Sequence, residues 1–270
     1  HQDRFRIMAA AAYFDVNWDY VVNRDAIGFS IPLSQKDFLA TGEFLVRLAP
    51  HLYLGPAFRC LDVKTSLRWE DLPDPGPGGD PDPPVGRDLE LAQTTVALGF
   101  HFEWDTRDNT FYPRSGHWMD ATGFFFRDTW GSDYDYDVYQ AYYNGYRGFG
   151  GKNVLAYQLL GRFTRGETPF FSLSSMNLRG YAFGGYMDNL MATAQVEYRR
   201  EIGWRVGAVA FAGLGEVSPS WSAFSWDHLL PSYGAGLRFR LTKHNPVNLR
   251  VDLAFTQDDH SIVMFVGEAF

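Results

Sequence analysis

The stretch Asn177-Leu178-Arg179-Gly180-Tyr181-Ala182-Phe183-Gly184-Gly185-Tyr186 sets one cation among three glycines and three aromatic residues. A guanidinium fork suits a carboxylate in a confined space. Glycine lets the backbone fold back tightly. The stretch sits in a connection too long for a simple hairpin turn. Two arrangements fit it: a loop that tucks into the fold and pins itself there, or a surface loop whose Arg179 faces water. A second group, Asp258-Asp259-His260-Ser261, has the residue types for general acid–base chemistry. A polar hairpin turn accounts for it equally well, and no G-x-S-x-G offers a lipase-like nucleophile. Cys60 is the single cysteine, so an intramolecular disulfide and a multi-cysteine metal site are excluded. The aspartates of segment 71–84 lack the ordered spacing of a calcium loop. The expectation is therefore no catalytic residue, no metal and no cofactor.

The elements that must position these residues are strands. Period-two alternation recurs along the chain. In 92–105, Ala92, Thr94, Val96, Leu98, Phe100, Phe102 and Trp104 form one face, and Gln93, Thr95, Ala97, Gly99, His101, Glu103 and Asp105 the other. In 192–199, Ala192, Ala194, Val196 and Tyr198 alternate with Thr193, Gln195, Glu197 and Arg199. Segments 232–241 and 247–256 repeat the pattern, with Arg238, Arg240, Arg250 and Asp252 on their polar faces. Charges in mid-strand are too many for a dry sandwich core. A membrane barrel turns its apolar faces to lipid and its polar faces to the lumen. No apolar run approaches the roughly 18 residues of a membrane helix, while aromatic content reaches 17%. Net charge is −8, which offers nucleic acid no basic patch.

The fold expected is all-β, an antiparallel transmembrane β-barrel of about 12 strands. They run roughly over 4–22, 38–49, 51–70, 90–105, 116–128, 135–149, 152–165, 189–201, 204–218, 230–242, 246–258 and 260–270. The count becomes 16 if N-terminal strands precede the chain. Residues 1–270 read as one barrel domain. Long connections at 23–37, 71–89 and 166–188 fall on one side, and mostly short turns on the other, the external and periplasmic pattern. Segment 71–89 is rich in Pro, Gly and Asp and reads as an external loop. The first strand changes phase between Phe5-Ile7 and Phe14-Val16, which a bulge near Ala9–Ala12 explains. Trp18, Tyr20, Trp69, Trp104, Trp118 and Trp130 stand near strand ends, as interface anchors do.

Two further motifs accompany the Arg179 stretch. One is the charged turn from Asp105 through Arg107, Asp108, Asn109 and Pro113 to Gly116. The other is the terminal Gly267-Glu268-Ala269-Phe270, which closes a same-parity stripe of Ile262, Met264 and Val266. In this order, the three resemble the BamA/TamA superfamily of outer-membrane barrels, also called the bacterial surface-antigen family. The D-x-R-D-N-x-F-x-P-x-x-G turn, the [VL]-R-G-[FY] loop over Leu178–Tyr181 and the terminal G-x-x-F carry the resemblance.

The resemblance implies that Arg179, with Gly180 and Tyr181, locks into the lumen against strand carboxylates. By parity these are Glu197 and Asp252, with Glu103 third. The family often places an aspartate on a later strand to receive the arginine; here that position is Gly213, so the partner differs. The resemblance further implies a Gram-negative outer-membrane location with both termini periplasmic. It implies contact with outer-membrane lipid and with protein partners. The role implied is assembly, translocation or scaffolding, without enzymatic activity. A passive pore, or the barrel part of a surface-associated hydrolase, are the alternatives.

Overall fold

The computed structural model describes residues 3–24, 27–67, 90–242, 247–257 and 259–270; the side chains of 18–24 and 27–30 stand outside that description. The strands are β1 (Phe5–Arg24), β2 (Ile27–Ala49), β3 (Leu52–Leu67), β4 (Glu90–Asp105), β5 (Ser115–Phe126), β6 (Tyr136–Phe149), β7 (Asn153–Gly166), β8 (Ser174–Ser175), β9 (Met187–Asp188), β10 (Leu190–Glu201), β11 (Val206–Ser218), β12 (Leu230–Arg240), β13 (Asn248–Phe255) and β14 (His260–Val266). Twelve of them form one sheet in chain order, with β7 paired to β10. The remaining two, β8 and β9, pair with each other inside the longest described connection. Every ladder of the large sheet is antiparallel, as hairpin connectivity requires.

The alternation is inverted relative to a soluble sheet. On β4, Leu98 and Phe100 lie on the exposed face, whereas Gln93, Thr95 and His101 are buried on the other. On β10, Val196 is exposed while Thr193, Glu197 and Arg199 are buried. Polar side chains buried together and apolar ones turned outward suit a wall between lipid and lumen. The inner face is strongly curved. Its side chains meet across strands that are not neighbours: Arg59 of β3 lies over the ring of Phe124 on β5, at 4.1 Å, and Arg114, just before β5, bonds Glu201 of β10 at 2.8 Å. Cys60 pairs beside Val96 on the outward face and is partly buried.

Several expectations are corrected. Residues 27–37 are not part of a long loop. β2 begins at Ile27, and its ladder to β1 runs unbroken from Phe5↔Val46 to Arg24↔Ile27. Pro32 fits because β2 has no ladder to β3 beyond Leu33 among the described residues, and proline is tolerated on a strand edge. The same unbroken register removes the bulge near Ala9–Ala12. The phase change is met by exposing both faces of β1, so that Ile7 and Phe14, of opposite parity, both remain exposed. β14 ends at Val266, not at residue 270. Gly267 adopts φ +117° and turns the chain inward, so the outward apolar stripe stops at Val266. Trp118 is no outward anchor either. It pairs with Asn144, which is buried on the inner face, and stacks on Tyr142. The connection 71–89 and Trp69 lie outside the described residues.

Among the described residues no ladder joins β1 to β14. The first pair of β1 (Phe5↔Val46) and the last of β14 (Leu249↔Val266) lie at the same end of the sheet as the short turns.

Candidate functional site: a charge cluster beneath the inserted loop

The connection after β7 folds back as a small hairpin. Met176 N–H donates to the Tyr186 carbonyl (2.9 Å) and Tyr181 N–H to that of Leu178 (3.2 Å). Gly180 has φ +99°, and a Cβ there would stand 2.6 Å from Thr256 Cγ2 and 3.4 Å from Ala254 Cβ. Glycine is thus required twice at this position, for its dihedral and for the close approach of the loop to β13. Leu178 is buried against Gly213; a Cβ on Gly213 would lie 3.1 Å from Leu178 Cδ2. The Tyr181 hydroxyl donates to the Pro231 carbonyl at 2.8 Å, and the Ser232 hydroxyl donates to the Arg179 carbonyl at 2.5 Å.

These contacts aim Arg179 inward. Its Nη1 donates to Glu197 Oε2 at 2.6 Å and to Asp252 Oδ2 at 3.1 Å. Its Cζ stands 3.5 Å from the centroid of Phe211, a cation–π contact in a dry setting. Glu103 is elsewhere, bonded to Arg6. With Gly213 in place of an acid, Leu178 occupies that side of the loop and the arginine reaches carboxylates on β10 and β13.

The pair is part of a larger set. Arg199 Nε donates to Glu197 Oε1 at 2.6 Å. Arg238 bonds Asp252, and its Nε donates to Glu268 Oε2 at 2.8 Å. Glu268 also accepts from Asn248 Nδ2 at 2.6 Å. Arg179, Arg199 and Arg238 therefore meet Glu197, Asp252 and Glu268, three charges of each sign. All six side chains are at most 7% exposed. Burying that many ions is tolerable only when each is paired and hydrogen-bonded.

Sequence reasoning about the terminus singled out Gly267 and Phe270 and passed over Glu268. The inward turn at Gly267 is what carries Glu268 into the cluster. Phe270 follows it: its carbonyl accepts from Arg199 Nη2 at 2.7 Å. Alternation at 232–241 held a second signal, the glycines on the Arg238 face. A Cβ on Gly236 would collide with Asp252 Oδ1, and one on Gly234 with the Leu253 carbonyl. Bare backbone there makes room for the ions. Gly236→Val is expected to cost about 2–3 kcal/mol through overpacking, measured as a lower urea midpoint for the folded barrel.

The Asp105–Gly116 turn folds beneath the same end. Asp105 accepts from Arg107 Nε and Nη2 at 2.9 and 2.7 Å. Asn109 Oδ1 accepts the N–H groups of Phe111 and Tyr112, and Asp108 Oδ1 that of Arg114. These are the local bonds that favour Asp and Asn in turns. Gly116 has φ +97°, and a Cβ on it would collide with the Thr106 carbonyl. Pro113 is buried, and so is Tyr112, whose ring lies 6.0 Å from Arg199 Cζ. Burial, with Glu201 and Glu268 nearby, raises the pKa of the Tyr112 hydroxyl.

A site that sequence reasoning missed lies on the other side of the inner face. His101 Nδ1 stands 2.7 Å from Glu43 Oε2, and its Nε2 stands 2.7 Å from Asp120 Oδ2. A ring that donates at both nitrogens is the charged imidazolium. His101 pairs with Gly55 on β3 and reaches past it to β2, over a position with no side chain. His101, Glu103 and Asp120 place one ligand-type atom each within 4.8 Å of one another, but a ring protonated at both nitrogens has no lone pair for a metal, and Glu103 is bonded to Arg6. The only signal was His101 on a polar strand face.

At the β13–β14 turn, Asp258 lies outside the described residues. His260 and Asp259 are exposed, 3.7 Å apart, and His260 stacks on Phe255. Their exposure gives no enclosed site for acid–base work.

A family model described as the Omp85 superfamily domain matches residues 57–265. The crystal structure of BamA from Haemophilus ducreyi lacking POTRA domains 1–3 is similar at 15% identity, with 96% of this chain and 58% of that chain covered and a TM-score of 0.65. This chain thus spans less than two thirds of that protein, and the likeness shows the fold. The toluene transporter TodX of P. putida, at 10% identity over 95% of this chain and 73% of that one, has a TM-score of 0.36, too low to bear on the fold. A search of curated proteins gives no match. With its inward-polar antiparallel sheet and a family model covering most of its length, the chain belongs to the Omp85 superfamily and is an outer-membrane β-barrel of the BamA/TamA type.

Proposed function

We propose that this barrel acts in outer-membrane protein assembly or translocation, or as a scaffold subunit of a membrane complex, and that it catalyses no reaction. The observation that carries the reading is the pair of free edges: among the described residues, β1 ladders only to β2 and β14 only to β13. A strand edge presents a row of N–H and C=O groups to which another chain can add a strand. β14 is only seven residues long, and Ile262, Met264 and Phe265 expose both of its faces. In this reading the wall opens toward lipid between β1 and β14. The six-ion cluster, through Glu268, holds the β14 side in place while β1 moves. Residues 1–270 act as one barrel domain, with outer-membrane lipid around it, protein partners beside it and both chain ends on the periplasmic side.

The test is extraction of the protein from native outer membranes in mild detergent, followed by identification of what stays bound. A stable complex with other barrels or with periplasmic lipoproteins is the expected result. A clean monomer would overturn the reading in favour of a passive structural barrel.

A further inference from the structure

The six ions beneath the loop balance one another; across the lumen, among the described residues, Arg59 and Arg162 have no such partners. Arg59 on β3 pairs with Ala97, and Arg162 on β7 with Met191, both buried on the inner face. Tyr136 links them: its hydroxyl lies 3.0 Å from Ser172 Oγ, the Ser172 carbonyl accepts from Arg162, and Tyr136 packs in one apolar cluster with Phe124, over which Arg59 lies. Neither arginine forms an ion pair with a carboxylate among the described residues. Arg162 donates only to neutral oxygens, the Ser172 carbonyl at 2.9 Å and Gln140 Oε1 at 3.3 Å. Arg59 lies over Phe124, and its buried Nε has no hydrogen-bond partner. Around them Phe124, Phe126, Tyr136 and Val138 form a buried apolar cluster. A cavity of about 370 Å³ opens between the inserted loop and the β6–β7 wall, and Arg162 is the only charged side chain among the residues lining it.

A half-buried cation in an apolar wall without a counter-charge is costly, and a second cation near it raises that cost. Guanidinium forks match the oxygens of phosphate and carboxylate. The hydroxyls of Tyr136 and Ser172 bond each other at 3.0 Å and leave one O–H to donate at the same place. We propose that the lumen binds an oxyanion, a phosphate group or its equivalent, between Arg59 and Arg162. The bound anion supplies the charge that the six-ion cluster supplies for itself. The site is independent of the assembly role.

The experiment uses the full chain folded in a non-ionic, phosphate-free detergent. Inorganic phosphate is titrated at constant ionic strength against chloride, and the loss of heat-modifiable gel migration is followed with temperature. The expected result is a midpoint that rises with phosphate, by about 5 °C at a hundredfold excess over the dissociation constant. Arg59→Gln and Arg162→Gln still give the folded band but flatten the response. Arg165→Gln, at an exposed position farther along β7, keeps it. A response that appears in phosphatidylglycerol vesicles but not with free phosphate supports the site and assigns the oxyanion to a lipid headgroup. A full chain indifferent to phosphate and to such vesicles overturns the proposal. So does a response that survives the Arg59→Gln/Arg162→Gln pair. A response seen only after deletion of the aspartate-rich segment 71–88 also overturns it, because the chain's own carboxylates would then fill the site.

Discussion

Arg179→Ala is expected to destabilise the folded barrel by about 3–5 kcal/mol, seen as loss of heat-modifiable migration at lower temperature and lower urea. The size follows from what the substitution leaves behind. Glu197 and Asp252 are fully buried, and each accepts from Arg179 Nη1. Removing one guanidinium leaves three carboxylates facing two arginines in a site that water does not solvate freely. Phe211 also loses the cation 3.5 Å above its ring. The loop would keep some hold through Tyr181 and Ser232, so the barrel is expected to fold, with a weakened wall. Pairing Arg179→Met with Asp252→Asn restores the charge balance. The double variant is expected to be more stable than the sum of the two single effects by about 1–3 kcal/mol. An unchanged melting point in Arg179→Ala would sink the idea that the loop locks the wall, as would strict additivity in the cycle.

The second large effect is expected at His101. His101→Leu should cost about 3 kcal/mol, read from the same urea titration. Glu43 and Asp120 each stand 2.7 Å from a ring nitrogen and come from strands on either side of β4. Without the imidazolium, two largely buried carboxylates share a space with no cation between them. Arg6 already serves Glu103, so it is not free to substitute. His101→Leu combined with Glu43→Gln and Asp120→Asn removes the charges together and should recover much of the loss. A single His101→Leu variant as stable as the parent would show that the three groups do not act as a unit.

The two effects differ in how much of their cause can be read from the chain. Alternation alone separated the faces of β4 and β10, because a strand sends successive side chains to opposite sides. It put Glu103, Glu197 and Asp252 on polar faces, with Glu197 and Asp252 ahead of Glu103 as partners of Arg179. The curvature of the sheet and the path of the loop brought Arg179 to Glu197 and Asp252 and left Glu103 to Arg6. Glu268 was not legible, because its position depends on a backbone turn at Gly267 that ends a strand early. The β1–β2 hairpin was misjudged for a related reason. Pro32 and the polar residues around it resemble a loop, yet an edge strand tolerates them where a central one would not.

By itself, the sequence determined the class of wall: strands with one apolar and one charged face, too charged within for a dry core and too apolar without for water. It also determined three local motifs built on Gly116, Gly180 and Gly267, since glycine takes the positive φ that each of them has without a steric penalty. Only the tertiary structure decided which charges meet. Partners in the lumen come from β10, β12, β13, the loop and the terminus, far apart in the chain, and a side chain's counter-ion is chosen by distance across the curved wall. The same physics explains why three arginines find three carboxylates under the loop while, among the described residues, Arg59 and Arg162 find none. Parity assigns a side chain to the lumen, but only the closing curvature of the sheet assigns it a partner.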